Sequence, residues 1–296
     1  PVANEHMYAR DAAGPNPCCN ASPVDSYLKL NPAAFKEGLV GLASQEFIDR
    51  IVTACSSGVK IGYEGPRQGR AHHNWPSTYE YADAVAASIL KDIRRGTTAG
   101  PFITPPSSSF VGSPMGCFQK KRSSKYRVIH DLFYPPGSSI NSFINIDNYR
   151  VRYLSLDDEL AHIQQHGRGT LLAKLDLADA FKFIPVRVED WPLLGYTFSF
   201  TDPITQQQIK LYFYDMVLQF GGRSSPKLFN DFAVAANLVM KHNGVTYSDQ
   251  YLDDFIIMGP PGSTVCRKNL DTMVTTCHDL GFQLNPDKVV QPTTCL

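Results

Sequence analysis

The sequence predicts an α+β protein in which helices cover one face of an antiparallel sheet. Two observations carry this. From residue 170 onward the segments run strand, inserted hairpin, helix, hairpin, helix, strand, an order that suits such a layer and leaves the other face for a ligand. The chain has 296 residues, 43% of them hydrophobic, enough for a sizeable core in one or two lobes.

Residues 1–30 carry Pro, Asn, Ala and Ser without periodicity and read as a loose leader. Residues 31–100 read as an N-terminal helical region. Phe35, Leu39, Leu42, Phe47, Ile48, Ile51 and Val52 fit one or two helices, and Thr78 to Arg95 places Ala82, Val85, Ala86, Ile89, Leu90 and Ile93 on one face. Gly100 to Gly116, rich in Pro, Ser and Gly, reads as a linker or extended entry to the next lobe. Ser155-Leu156-Asp157-Asp158 resembles a capping box opening a short helix that runs through Gln165 and stops at Gly167.

A strand follows at 170–177. The alternating segments Tyr196 to Phe200 and Ile209 to Phe213 form a hairpin around a polar turn. Ser224-Ser225-Pro226 supplies a cap and a first-turn proline for a helix bearing Leu228, Phe229, Phe232, Ala236, Val239 and Met240, ended near Gly244. A second hairpin joins Val245–Tyr251 to Phe255–Met258. A last helix starts at Ser263, buries Cys266, Leu270, Met273, Val274, Cys277 and Leu280, and stops at Gly281 before an edge strand near Phe282–Val290.

Composition narrows the partners. With 28 basic and 28 acidic residues the formal charge is zero, so nucleic-acid binding would need a local patch. Lys120, Lys121, Lys125, Arg122 and Arg127, beside Tyr126, form the clearest one, although a charge run is also an ordinary solvated hairpin tip. Seven cysteines without a C-x-x-C suggest neither a disulfide framework nor a Cys-type zinc site, and the eight histidines show no paired zinc spacing. No apolar run approaches the roughly 20 residues of a membrane span. A soluble intracellular protein, cytoplasmic or nuclear, is expected, and the opening at Pro1 suggests a fragment.

Chemistry concentrates at two places. Tyr251-Leu252-Asp253-Asp254 sets two carboxylates at a hairpin tip, a seat for divalent metal. Asp-Asp is also a tolerable turn dipeptide. Asp176 interrupts the apolar run Leu171-Leu172-Ala173-Lys174-Leu175-Asp176-Leu177, where an unpaired acid would be costly. Alone it would read as a cap or ion-pair partner. Side by side, the two strands would let Asp176 and Asp253 share a pair of Mg²⁺ ions roughly 3.5–4 Å apart, an arrangement that clamps phosphoryl transfer.

Read in order, these segments resemble the fingers and palm of a reverse transcriptase, from about Gly116 to the C-terminus. The resemblance implies a right-hand polymerase fold, with fingers at 101–169, a palm at 170–296 and an inserted fingers hairpin at about 182–218. Leu175-Asp176-Leu177-Ala178-Asp179-Ala180-Phe181 is similar to the first palm motif and implies Asp176 as a metal ligand, with Asp179, Ala180 and Phe181 at the nucleotide. Phe181 would be a steric gate against a 2′-hydroxyl, or else simple core packing. Phe220-Gly221-Gly222-Arg223-Ser224-Ser225-Pro226 is similar to the second motif, with Phe220 and Gly221 at the nucleotide and Gly222, Arg223, Ser225 and Pro226 at template and primer. Gln219 stands where many relatives have Pro.

The Tyr251 to Asp254 run matches the third motif, with Asp253 and Asp254 as catalytic ligands and Tyr251 and Leu252 at the primer. Lys120 and Arg127 fall where the family holds the incoming triphosphate. Lys288, seven residues after Gly281, resembles the lysine of the fourth motif, a candidate general acid toward pyrophosphate or a surface lysine. Two Mg²⁺ ions, or Mn²⁺, an RNA or DNA template with primer, and deoxynucleoside triphosphates are the implied cofactors and partners.

Lys125 to Leu132, Pro135 to Asn141 and Gly100-Pro101-Phe102 look most like DIRS-type retrotransposons, and the chain is expected to stop before a thumb. Two rivals stay open. One is an RNA-dependent RNA polymerase, opposed by Phe181; the other is a catalytically silent, nucleic-acid-binding retroelement remnant.

Overall fold

The computed structural model describes residues 30–121, 123–151, 156–202 and 204–295. All but the last residue of the expected leader, Arg122 and the Ser155 cap lie outside them. In chain order the helices and strands are α1 (Pro32–Leu39), α2 (Gln45–Ser57), β1 (Arg70–Ala71), α3 (Pro76–Glu80), α4 (Ala82–Arg95), β2 (Thr98–Phe102), β3 (Val111–Gly112), β4 (Met115–Gln119), β5 (Tyr126–His130), α5 (Leu156–His166), β6 (Leu171–Asp176), β7 (Gly195–Thr201), β8 (Gln208–Asp215), α6 (Ser225–His242), β9 (Ser248–Tyr251), β10 (Asp254–Gly259), α7 (Val265–Asp279) and β11 (Val290–Thr293). They form two compact units. The first takes Lys60–Asn145 and Pro185–Ser225; the second takes residues 30–59, Ile146–Ile184 and 226–295.

In the first unit a five-stranded sheet has the order β1-β3-β7-β8-β2, and β4 pairs with β5 as a separate antiparallel hairpin. The alternating residues of β7 and β8 explain the core: Tyr196, Phe198, Phe200, Leu211 and Phe213 are buried with Val85 and Ile89 of α4. Each such large apolar side chain contributes about 1.5–3 kcal/mol when fully buried. The stretch expected as a linker or extended entry supplies β3 and most of β2. Val111 is 2% exposed, and a Cβ on Gly195 would sit 2.7 Å from the Val111 carbonyl, so glycine permits this close parallel pairing. The single helix expected from Thr78 to Arg95 is two, broken at Tyr81 (φ −111°, ψ 40°).

In the second unit the sheet order is β11-β6-β10-β9, all pairs antiparallel. Ala173, Leu175, Phe255 and Ile257 are fully buried on one face, where α7 packs with Cys266, Met273 and Cys277. Lys174, Asp176, Asp254 and Ile256 share the opposite face, as strand alternation and register require. Phe35 meets Phe232 edge-on at 5.9 Å and Phe282 at 6.2 Å, which ties α1 into this unit. The expected region 31–100 is therefore divided: its first helices join one unit and its remainder the other. The C-terminal edge strand forms at Val290–Thr293, later than expected, because Asn285 leads into a short turn, Pro286–Lys288, before β11.

Candidate active site

The second unit brings four of the candidate residues together. Asp254 is paired in register with both Asp176 and Tyr251, which leaves Leu252 and Asp253 as the turn of a two-residue hairpin. Leu252 takes a left-handed conformation (φ 53°), the backbone geometry for which such tight hairpins ordinarily use Asn or Gly. The turn is pinned to β6, since the Leu177 N–H donates to the Asp253 carbonyl at 3.1 Å. Asp176 is 3% exposed, and its carboxylate accepts from Lys288 Nζ at 2.8 Å. Lys288 reaches it from the short turn before β11, which is itself held by the Asn285 N–H on the Asp176 carbonyl at 3.0 Å.

The charges in this cluster act on one another. Burial raises the Asp253 carboxyl above its ordinary range, and the negative charges of Asp176 and Asp254 raise it further, against the lowering effect of Lys288 and of its own backbone N–H. Lys288 is held above the usual lysine range first by its hydrogen bond to Asp176, then by the three surrounding carboxylates. Asp254 takes a different partner, Lys174, whose Nζ lies 3.0 Å from Oδ1. Among the described residues no three His, Cys, Asp or Glu side chains group as a ready-made metal cage. Magnesium needs less than a cage: it takes one or two protein carboxylates and completes its shell with water and phosphate oxygens. Asp176 and Asp253, two crowded acids of like charge, fit such an ion.

The other candidates of this unit lie next to the cluster in sequence. Asp179 adopts a left-handed conformation (φ 49°) and opens the turn Ala180–Phe183, in which Ala180 is 3% and Phe181 9% exposed. The Phe181 ring packs on Phe229 at 5.4 Å. Tyr251 is exposed at 53%. Pro226 stands in the first turn of α6.

The first unit holds the remaining candidates. Lys120 and Arg127 are exposed on the β4–β5 hairpin, with Arg127 opposite Phe118. Phe220 is 56% exposed and leads into Gly221, whose positive φ of 91° favours glycine. A Cβ on Gly222 would lie 2.4 Å from Ser225 Oγ, so the loop closes on the start of α6.

Asn141, which sequence reading missed, organises this loop. Fully buried, it donates from Nδ2 to the Gly221 carbonyl at 2.8 Å and accepts from the Arg223 N–H at 2.7 Å. Arg223 in turn donates to the Ile144 carbonyl at 3.2 Å. Gln219 is also explained: 4% exposed, it donates to the Leu194 carbonyl at 3.1 Å and to Asp215 at 2.9 Å, bonds that a proline could not make. A spacing of 80 residues from Asn141 to Gly221 left no local signal for that clamp.

Residues 119–294, more than half of the chain, match the family described as reverse transcriptase (RNA-dependent DNA polymerase). The chain belongs to the reverse transcriptase family. Its fold is similar to native prototype foamy virus protease-reverse transcriptase, with TM-score 0.55 and 17% identity over 79% of this chain and 27% of that one. A CSH mutant of the same viral protein gives TM-score 0.58 and 16% identity, covering 88% of this chain and 33% of that one. The foamy viral protease-reverse transcriptase dRH in complex with double-stranded DNA gives 0.55 and 16%, covering 88% and 44%. The chain thus spans less than half the length of these reverse transcriptase structures. No curated protein matches the sequence. The α+β fold expected from the sequence is that of polymerase fingers and palm. No helix among the described residues is long and apolar enough to cross a membrane.

Proposed function

We propose that this chain carries the centre for template-directed DNA synthesis, with RNA or DNA as template and deoxynucleoside triphosphates as substrates. The observation that carries the reading is the approach of Asp253, in the turn between β9 and β10, to Asp176 at the end of β6, pinned by the hydrogen bond from Leu177 to the Asp253 carbonyl. Bound at these two carboxylates, magnesium or manganese supplies the positive charge that offsets negative charge developing on the reacting oxygens.

The protein groups position and neutralise. Asp176 and Asp253 hold the cation. Lys288, kept protonated by its acidic neighbours, is a proton donor suited to a pyrophosphate leaving group once it leaves Asp176. Phe181, beside Ala180, is the residue whose bulk would disfavour a 2′-hydroxyl. In the other unit, Lys120 and Arg127 are cations of a kind suited to a triphosphate, and the Phe220–Arg223 loop exposes backbone of a kind suited to a nucleotide or template.

Among retroelements, the run Lys125 to Leu132 with Pro135 to Asn141 supports a DIRS-type lineage. A second reading, a silent nucleic-acid-binding remnant, draws on the occupation of Asp176 by Lys288. Primer extension with magnesium separates them. Wild type should extend with deoxynucleotides far better than with ribonucleotides, and Asp253→Asn should extend with neither. A fully active Asp253→Asn protein would refute the assignment.

A further inference from the structure

We propose that Lys174 is a positioning residue that withdraws Asp254 from the ion-binding set, so that the site presents two carboxylates, Asp176 and Asp253, to a divalent cation. The inference rests on the reading of those two acids given above. It starts from register. Lys174 lies opposite Ile256 and Asp254 lies opposite Asp176, so all four side chains share one sheet face and Lys174 is diagonal to Asp254. Its Nζ stands 3.0 Å from Asp254 Oδ1, a buried oxygen to which the described residues offer no further polar partner.

The two lysines of the cluster are tethered differently. Lys288 sits in a three-residue turn, with its side chain 56% exposed, and can leave Asp176 when a cation arrives. Lys174 is anchored on both sides, paired with Ile256 of β10 and with Val290 of β11, and its side chain is 33% exposed. Its ammonium therefore stays with Asp254. A bound ion then meets two acids rather than three, which leaves coordination positions for phosphate oxygens and water. Screening by Lys174 also limits the repulsion that Asp254 exerts on Asp253.

The test is Mn²⁺ binding to the EDTA-stripped chain without nucleotide, read as loss of the free-ion electron paramagnetic resonance signal. Lys174→Met should bind Mn²⁺ roughly fivefold more tightly than wild type, because a third carboxylate is released. Lys174→Arg should bind as wild type does, and Lys174→Met combined with Asp254→Asn should return to the wild-type value. Asp254→Asn alone should shift affinity by less than about twofold, whereas Asp253→Asn should weaken it by about tenfold or more. The Asp254→Asn measurement holds even if Lys174→Met fails to fold. An affinity loss in Asp254→Asn as large as in Asp253→Asn, or an unchanged affinity in a folded Lys174→Met, overturns the role of Lys174 while leaving the ion site intact. Mn²⁺ binding indifferent to both Asp176→Asn and Asp253→Asn overturns the ion site itself and this inference with it.

Discussion

Asp254 stands directly opposite Asp176 in the pairing of β10 with β6, yet each acid is claimed by a different lysine, Lys174 and Lys288. Crowding of like charge, relieved by nearby cations, sets the behaviour of the whole cluster. Asp253, at the turn, is raised first by burial and then by the charges of both neighbouring acids.

Asp253→Asn should trade activity for stability. Loss of a ligand oxygen should lower primer extension by at least about 100-fold. The folded-state carboxyl of Asp253 is raised above its unfolded value, so the folded chain binds more protons there. The resulting penalty is full above the folded value and disappears below the unfolded one. In EDTA at pH 7 the variant should melt roughly 1–3 °C above wild type. Melting curves taken down to about pH 4 should converge, the unfolded carboxyl lying near there; a gap that persists at low pH would argue against this origin.

Asp190 is the opposite case. It is fully buried, and although burial would raise its carboxyl, hydrogen bonds from Arg187, from Arg67 and from the Ile61 N–H outweigh this and hold it low. Arg67 reaches Oδ1 at 2.5 Å and Arg187 reaches Oδ2 at 2.7 Å. Asp190→Ala leaves two guanidinium groups without their acid and should cost about 3–5 kcal/mol in urea unfolding. The contribution is present above the unfolded carboxyl value and is lost as pH falls through the lowered folded one.

Asn141→Ala should strand the Gly221 carbonyl and the Arg223 N–H, costing about 1–3 kcal/mol. Faster amide exchange at residues 219–224, with β7 and β8 unaffected, is the expected signature. Uniform exchange through the whole unit would instead assign Asn141 a global role.

Gly195→Ala tests the parallel contact between β3 and β7. The added methyl would meet the Phe110 ring and the Val111 carbonyl, the first at 2.4 Å and the second at 2.7 Å. A loss of about 1–3 kcal/mol is expected from the overpacking, read as a lowered denaturation midpoint at unchanged slope.

Much of this is legible in the sequence alone. The hairpins at Tyr196 and Asp253 and the helices after Ser225 and Ser263 follow from period and punctuation, which are local. Asp176 was visible because an acid in an apolar run demands a reason. What stayed hidden depends on residues distant in sequence. Lys174 looks like an interruption of the same run until register sets it beside Asp254, and Asn141 and Asp190 find partners about 80 and 123 positions away. Strands β2 and β3 were masked by Pro, Ser and Gly, whose usual meaning is a loop, because glycine here serves close packing.

The order of β11-β6-β10-β9 has a further outcome for how the chain comes into being. Both partners of β6 are encoded after it, at Asp254–Gly259 and Val290–Thr293. A ribosome that has released Asp176 has therefore made an apolar strand with two open flanks, and must add 83 residues, through Gly259, before the first flank can close fully and 117, through Thr293, before the second can. Maturation of the acid pair is thus a late, non-local event, and the nascent palm is most prone to stray β-pairing during that interval.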